Sequence, residues 1–428
     1  MRKSLASLQW TLIMLAGCVV APITIGEAFQ LSQVEIIHFV QRALFVMGIA
    51  SILQCLFGHR LPIIEAPAAV WWGIFLLFAG LANTPQEGSR ILESLQVGLF
   101  FSGILFVVLS LTGIIKYVRK LFTPLVTGTF FVLLVAQMSG PFIKGILGIG
   151  YLSPILQVKT AIAGVIITIC AVLMARSRVK GLRIYSVLWA IIGGWILFGL
   201  MNLNKTMLPV NDKFFSIPHV FPWGIPSFRL DIMLVAIIST LLLMTNLIAS
   251  IEAVEKATES PSRPVERSSG FFLGISQLLS YIFATISFIP VSYTAGFILT
   301  TRMKERFPFI LGGCLILLIS CFPMISMFFS MIPVPVAYAA MFISFAQMLG
   351  LGLKEYTAGP LDERRIVTIG ISLMVGIGSM AIPVSSLVKV PPVFVTFLSN
   401  GLAIGVVTCI LIEQGLRLFG REKYSSQT

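Results

Sequence analysis

An all-α protein that crosses a membrane about fourteen times is the architecture this chain encodes, and three features say so. Apolar residues make up 57% of the 428 and charged ones only 11%, with a mean hydropathy of +0.98. That leaves too little polar surface for a water-facing domain of this size. Apolar runs recur along the whole chain at lengths suited to a hydrocarbon core of roughly 30 Å. The cations gather in short loops between those runs: Lys116, Arg119 and Lys120; Arg176, Arg178, Lys180 and Arg183; Arg302, Lys304 and Arg306. This is the positive-inside pattern, in which cationic loops stay cytoplasmic during insertion. The net charge of +13 therefore reports topology, and no nucleic-acid partner is expected.

The first span, 8–26, follows Met1-Arg2-Lys3; Pro22 and the further spans make it an uncleaved anchor rather than a signal peptide. Spans two to seven are placed at 36–57, 62–80, 91–113, 121–137, 159–176 and 184–203. A weakly charged outer loop with four prolines, around Asn202–Phe228, leads into the second half. Spans eight to fourteen are placed at 230–250, 270–287, 290–301, 308–328, 333–352, 366–381 and 393–416. An even count puts both termini on one side, and the loop cations make that side cytoplasmic. The longest inner linker, Lys256–Ser269, is polar with two prolines, and no soluble domain is present. The six cysteines all lie in apolar runs, none in a CxxC pattern or beside a paired His, so no disulfide framework, metal site or cofactor is expected.

The two halves echo one another. FTPLVTGTFFVLLVAQMSG, ending at Gly140, resembles IPVPVAYAAMFISFAQMLG, ending at Gly350. Seven spans per half is an odd number, so the second half must insert upside down. The expected division is 1–203 as the first repeat, 204–229 as an extracytoplasmic linker, 230–418 as the second repeat and 419–428 as a cytoplasmic tail. Inverted repeats are typical of secondary transporters, with a site between them near the midplane.

Two spans look broken. Leu61–Gly73 carries Pro62, Glu65 and Pro67 before it turns plausibly helical; Pro290–Arg302 is short, with Pro290, hydroxyl side chains and Gly296. Extended backbone in a membrane survives only where protein or a watery cavity satisfies its amides. One broken span per half points to a binding site, although each proline could equally kink a packed helix.

With these residues in place, the chain resembles the nucleobase–ascorbate transporter family, the nucleobase:cation symporters that include uracil and xanthine permeases, over nearly its whole length. Ser7–Trp10 (SLQW) is similar to the family's Ser-Leu-Gln-His opening, GHRLPIIEAPAAVWWG to its third span, and Leu121–Gly128 and Ile332–Val336 to the starts of spans five and twelve. In the tenth-span signature Gly296, Thr301 and Arg302 fit in register. Tyr293 stands where Glu or Gln is usual, and Thr294 replaces Asn. Asn246 takes the place of the usual eighth-span Glu, and Ser250 that of a His in uracil permeases. The Glu-x-Pro-x-x-x-Trp-Trp-Gly stretch from Glu65 to Gly73 resembles a divergent purine-permease branch.

The resemblance implies core and gate domains and short strands in spans three and ten that meet at the substrate, facing spans one and eight. It also implies alternating access driven by protons. The expected substrate contacts are Asn246, Ser250, Ala69, Ser292, Tyr293, Thr294, Gly296 and Phe345.

Chemistry supports some of these directly. An amide at Asn246 offers two donors and an acceptor to the edge of a planar base, or else an interhelical hydrogen bond. Ser250 lies one turn later on the same face and could instead bond back to its own helix. If the chain at Tyr293 and Thr294 is extended, only one of the two side chains faces the site. Phe345 could stack on a ring or simply pack. Five extended residues at about 3.3 Å each carry Glu65 roughly 16 Å inward, where a carboxylate is a candidate proton carrier; in the alternative it lies shallow beside Arg60. His38, His59 and His219 sit alone near span ends.

The expected function is import of a nucleobase, a purine first among the xanthine, urate and uracil class, by proton symport with alternating access across a bacterial inner membrane. Expected partners are the base, protons and membrane lipid, with a homodimer left open. An uncoupled facilitator and a small-anion transporter are the alternatives; the absence of Lys or Arg within either broken span before Arg302 disfavours the anion. A pump or membrane enzyme fails for want of a GxxxxGK[ST] loop, a metal cluster or a soluble domain.

Overall fold

The computed structural model describes residues 2–80, 84–113, 123–184, 186–204, 214–260, 265–382 and 401–425, with Ala82, Ser386 and Leu398 besides. Lys116, Arg119 and Lys120, the start of the fifth expected span, most of 393–400 and the side chain of Phe345 lie outside the described residues.

Helices dominate. The first half holds α1 (Arg2–Cys18), α2 (Val20–Ala28), α3 (Gln33–Leu56), strand β1 (Glu65–Pro67), α4 (Ala69–Ala79), α5 (Pro85–Thr112), α6 (Pro124–Ile146), α7 (Val158–Ala175), α8 (Lys180–Ile184) and α9 (Ser186–Leu200). The second holds α10 (Leu230–Thr258), α11 (Glu266–Ile282), strand β2 (Phe288–Pro290), α12 (Tyr293–Thr301), α13 (Arg306–Ser320), α14 (Pro323–Ser330), α15 (Val334–Tyr356), α16 (Glu363–Met380) and α17 (Gly401–Ser425).

Local chemistry sets the boundaries. Ser32 and Glu35 form a reciprocal capping box at α3. Thr84 and Thr123 cap α5 and α6 just before a proline whose missing amide costs nothing there. Asp362 caps α16.

Large apolar side chains such as Ile169, Ile196 and Met374 point outward, where only hydrocarbon accommodates so continuous an apolar surface. The protein is a multi-pass membrane protein. Among the described residues six helices are long and apolar enough to cross alone, or seven if α13 and α14, bent by 98°, form one span. The expected span 308–328 thus breaks at Phe322, because Pro323 disfavours helix in the residue before it.

Glycines set the closest helix crossings. A Cβ on Gly48 of α3 would lie 3.2 Å from the Gly313 carbonyl of α13, and one on Gly103 of α5 would lie 3.0 Å from the Gly274 carbonyl of α11. Gly128 of α6 meets the Gly352 carbonyl of α15 at 2.9 Å in the same sense. Small residues let helices approach closely where lipid supplies no hydrophobic drive to associate. The third crossing joins the two helices that carry the echoed stretches.

The broken spans meet at the centre. β1 and β2 pair antiparallel, with Glu65 opposite Pro290, Ala66 opposite Ile289 and Pro67 opposite Phe288. The ladder continues at both ends: the Ala68 amide donates to Ser287 O at 2.8 Å and the Val291 amide to Ile64 O at 3.1 Å. Gln277 Nε2 and Ser250 Oγ donate to the Phe288 and Pro290 carbonyls. Each strand's polar backbone is thereby satisfied without lipid contact.

The second break differs from expectation. Helix α11 ends at Ile282 rather than 287, and the extended stretch precedes Pro290 instead of following it. Thr285 and Ser287 alternate with Ile286 and Phe288, the period of two that belongs to a strand, but their apolar neighbours read as the end of span nine.

Candidate functional site

Each strand delivers the chain to a helix start. Antiparallel pairing sends α4 away from one end of the ladder and α12 from the other, so two helix N-termini flank the crossing. Neither Ala68 nor Ser292, the N-cap residues, makes a side-chain cap. Such an N-terminus carries partial positive charge and spare amide donors, suited to a carbonyl or anionic edge. Ala69 opens α4 and is partly buried.

Beside β2, three expected residues come together. Ser250 is fully buried; its hydroxyl lies 2.9 Å from the Pro290 carbonyl, 2.9 Å from Ser292 Oγ and 3.1 Å from Asn246 Oδ1. One hydroxyl carries one proton, so Ser250 donates to Pro290 or Asn246 while Ser292 donates to Ser250. Asn246 Oδ1 is turned to Ser250, and its Nδ2 has no partner among the described residues. A partly buried amide held by its oxygen presents two N–H donors.

Tyr293 and Gly296 go elsewhere. They line a cavity of 280 Å³ between α1, α12, α15 and the α7–α9 corner, to which Gly17, Arg183, Ser186 and Gln347 also contribute. The volume sits near the small end for ligand sites. A Cβ on Gly296 would meet nothing within 4 Å, so this glycine opens onto the cavity. The Tyr293 hydroxyl occupies the space a Cβ on Gly17 would need and has no hydrogen-bond partner among the described residues. Tyr293 is therefore positioned by the absence of a side chain on α1. Tyr293→Phe is expected to leave the fold intact and its stability unchanged within about 1 kcal/mol in thermal unfolding, because the hydroxyl it removes has no partner among the described residues to lose.

Tyr293 and Thr294 lie in the first helical turn rather than in a strand, so the expected alternation of their faces does not occur. Thr294 is engaged within the protein: its amide donates to Val291 O and its hydroxyl accepts from the Ile64 amide at 3.3 Å, tying α12 to the approach to β1. Thr294→Val leaves that buried amide unpaired at a cost of about 1–3 kcal/mol. A lowered melting temperature is expected in thermal unfolding.

Glu65 is fully buried at the start of β1, and its amide donates to Ser51 Oγ at 3.2 Å. His59 is also buried, and its Nε2 lies 3.5 Å from Glu65 Oε1. The expectation that His59 stands alone is overturned, and His59 rather than Arg60 is the neighbour of Glu65. Five residues lie between the two, but the chain turns at Arg60, whose φ is +60°, and folds one onto the other.

Sequence reasoning also missed Arg183, Ser186 and Gln347, which reach the cavity only through tertiary packing. Gln347 carried a faint signal: it and Gln137 occupy equivalent places in the echoed stretches, and Gln137 is spent accepting from the Leu402 amide at 3.2 Å.

The family model described as the Permease family, Xan_ur_permease, matches residues 1–385. YwdJ of Bacillus subtilis (strain 168), which carries the name of a purine permease on a provisional basis, is 38% identical over 99% of this chain and 98% of its own. The uric acid permease PucJ of the same strain is 24% identical over 98% and 94%, and the xanthine permease XanP of Escherichia coli (strain K12) 25% identical over 95% and 90%. Among solved structures, the transmembrane domain of the cyanobacterial bicarbonate transporter BicA superposes with a TM-score of 0.63 at 13% identity, covering 95% of this chain and 97% of that one. SLC26A9 gives 0.64 at 11% identity over 95% and 65%. That likeness shows a shared inverted-repeat fold. Matched along nine-tenths of its length and closed around two crossed strands, the chain belongs to the nucleobase–ascorbate transporter family of permeases.

Proposed function

We propose that this protein is a secondary active transporter that imports a nucleobase, a purine of the xanthine and urate class, by proton symport with alternating access. The observation that carries the reading is the crossing itself: two uncapped helix N-termini flank a satisfied ladder, beside an Asn246 amide held by Ser250. Donors outnumber acceptors there, which suits the carbonyl-rich edge of an oxidised purine. Ala69, Ser292 and the Asn246 amide would hold the polar edge, with Tyr293 and Gly296 on the cavity side; Phe345, whose side chain lies outside the described residues, would be the ring that stacks on the base. Glu65 would carry the proton.

The same reading takes 1–203 and 230–418 as two inverted repeats of seven spans each, 204–229 as an outer linker and 419–428 as an inner tail, in a bacterial inner membrane with both termini cytoplasmic. Glycine crossings repeated between α3·α13 and α5·α11 support it, because an inverted pair duplicates each contact. Assembly as a homodimer belongs to the same proposal.

Labelled xanthine, urate, uracil and ascorbate are to be offered to proteoliposomes with and without an inside-alkaline gradient. Accumulation of a purine only with the gradient is the expected result; ascorbate or uracil uptake in its place would overturn the substrate class.

A small anion is the second reading. It rests on Arg183, which brings to the cavity the cation that neither broken span supplies. Uptake of sulfate or bicarbonate unaffected by excess purine would favour it.

A further inference from the structure

The function proposed above assigns Glu65 the proton but leaves unexplained the side chain facing it. Both carboxyl oxygens are buried and accept no hydrogen bond among the described residues. A carboxylate so placed needs a charge-assisted donor, because burying an unpaired charge is among the most costly events in a protein. His59 is the side chain in position to supply one. Its Nδ1 accepts from the Leu61 amide at 3.1 Å, which requires a lone pair on Nδ1 and so puts the proton of the neutral ring on Nε2. That Nε2–H lies 3.5 Å from Glu65 Oε1, a few tenths longer than a hydrogen bond, and a small rotation of either side chain closes it. Contacts of this kind are often long in unliganded sites and tighten when the working state forms.

We propose that His59 is the positioning residue of Glu65: it stays neutral and donates its Nε2 proton to the carboxylate whenever Glu65 has released its own. No proton passes through the ring, since Nδ1 is committed to Leu61. His59 instead supplies the deprotonated state with its partner, and so sets the pH at which Glu65 unloads.

The surroundings contain few competitors. From α13, Arg306 donates to the Cys55 carbonyl. From α3 come Cys55, Gln54 and Ser51; the α11 side presents Ser268, which donates to the Gly58 carbonyl, and Ser269, which accepts from Gln54 through its own carbonyl. Across the ladder, β2 contributes no titratable group. Cys18, at the end of the adjoining α1, and the exposed Arg60 complete the set. Among the described Lys, Arg and His side chains, His59 is the one with a nitrogen within 4 Å of a Glu65 oxygen.

Two consequences connect the pair to transport. Glu65 is paired with Pro290, whose carbonyl holds Ser250 beside Asn246, so the proton site and the amide share one strand pair. His59 lies on the loop that leaves α3, and Ser268 binds that loop at Gly58, so movement of α11 would move the donor.

The test follows the carbonyl stretching band of the protonated Glu65 carboxyl by infrared difference spectroscopy of the full-length protein in lipid. The band is assigned by its loss in Glu65→Gln. His59→Leu removes the donor, His59→Gln keeps an N–H at similar reach, and thermal unfolding checks that each folds. His59→Asn, too short to reach, replaces Leu if that variant does not fold.

The expected result is a band that persists in His59→Leu to a pH about one unit more alkaline, a tenfold change in proton concentration, and returns towards the wild-type midpoint in His59→Gln. Equal midpoints in wild type and His59→Leu, an equal shift in Leu and Gln, or no titrating band at all would overturn the proposal. The readout needs no substrate, so it separates from the symport reading. A shifted band in a protein whose uptake ignores the gradient keeps the pair and removes the coupling.

Discussion

Proteoliposomes carrying Glu65→Gln should exchange internal for external purine but accumulate none, whatever the pH difference across the membrane. Gln has the shape of a protonated carboxyl and never releases its hydrogen. A one-to-one symporter draws about 1.36 kcal/mol from each unit of inward proton gradient, enough for about tenfold accumulation. The wild type should approach that ratio and the variant should lose it. Exchange of labelled for unlabelled substrate should continue, because a permanently loaded carrier still reorients with substrate. Only its return when empty requires the deprotonated state. If Glu65 carries the proton, the sign follows from direction: acid outside would load it, alkali inside would unload it, and reversal of the gradient should drive efflux. Gradient-dependent accumulation by Glu65→Gln at the wild-type level would remove Glu65 from the mechanism.

Several of these residues could be found in the sequence, for physical reasons that also explain the failures. Proline and an acid inside an apolar run break a local rule at visible cost, so the strand at Glu65–Pro67 announced itself. The partner strand hid because its alternating Thr285 and Ser287 are small and its other residues are as apolar as a helix. Ser250 and Asn246 were legible because polar groups four residues apart share a face of one helix. Their link to Ser292 and Pro290 depends on a ladder pairing that no spacing encodes.

His59 failed for a related reason: its distance from Glu65 in sequence suggests a different depth, and only the left-handed turn at Arg60 restores contact. Arg183 was discounted as a loop cation, which it also is. The positive-inside pattern explains why a cation stands at that end of a span, but not which cation faces inward.

The second large effect concerns Ser250→Ala. Removing this hydroxyl leaves the Pro290 carbonyl without its side-chain donor and Ser292 without its acceptor, and it frees Asn246 to turn. A buried polar group stripped of its partner costs about 1–3 kcal/mol, and a factor of ten in affinity corresponds to about 1.4 kcal/mol. The KM for purine should therefore rise by about tenfold or more. Asn246→Ala should raise it comparably, since it deletes the donors that Ser250 aims. If both act through one oriented amide, the double variant should be little worse than either alone; independent contacts would instead give additive losses. Ser292→Ala should have a smaller effect, because it removes only the bond donated into Ser250. A double-mutant cycle on the KM decides between the two cases. Strict additivity, or an Asn246→Ala protein within about twofold of wild type, would show that the Ser250–Asn246 pair braces helix against strand and takes no part in holding the base.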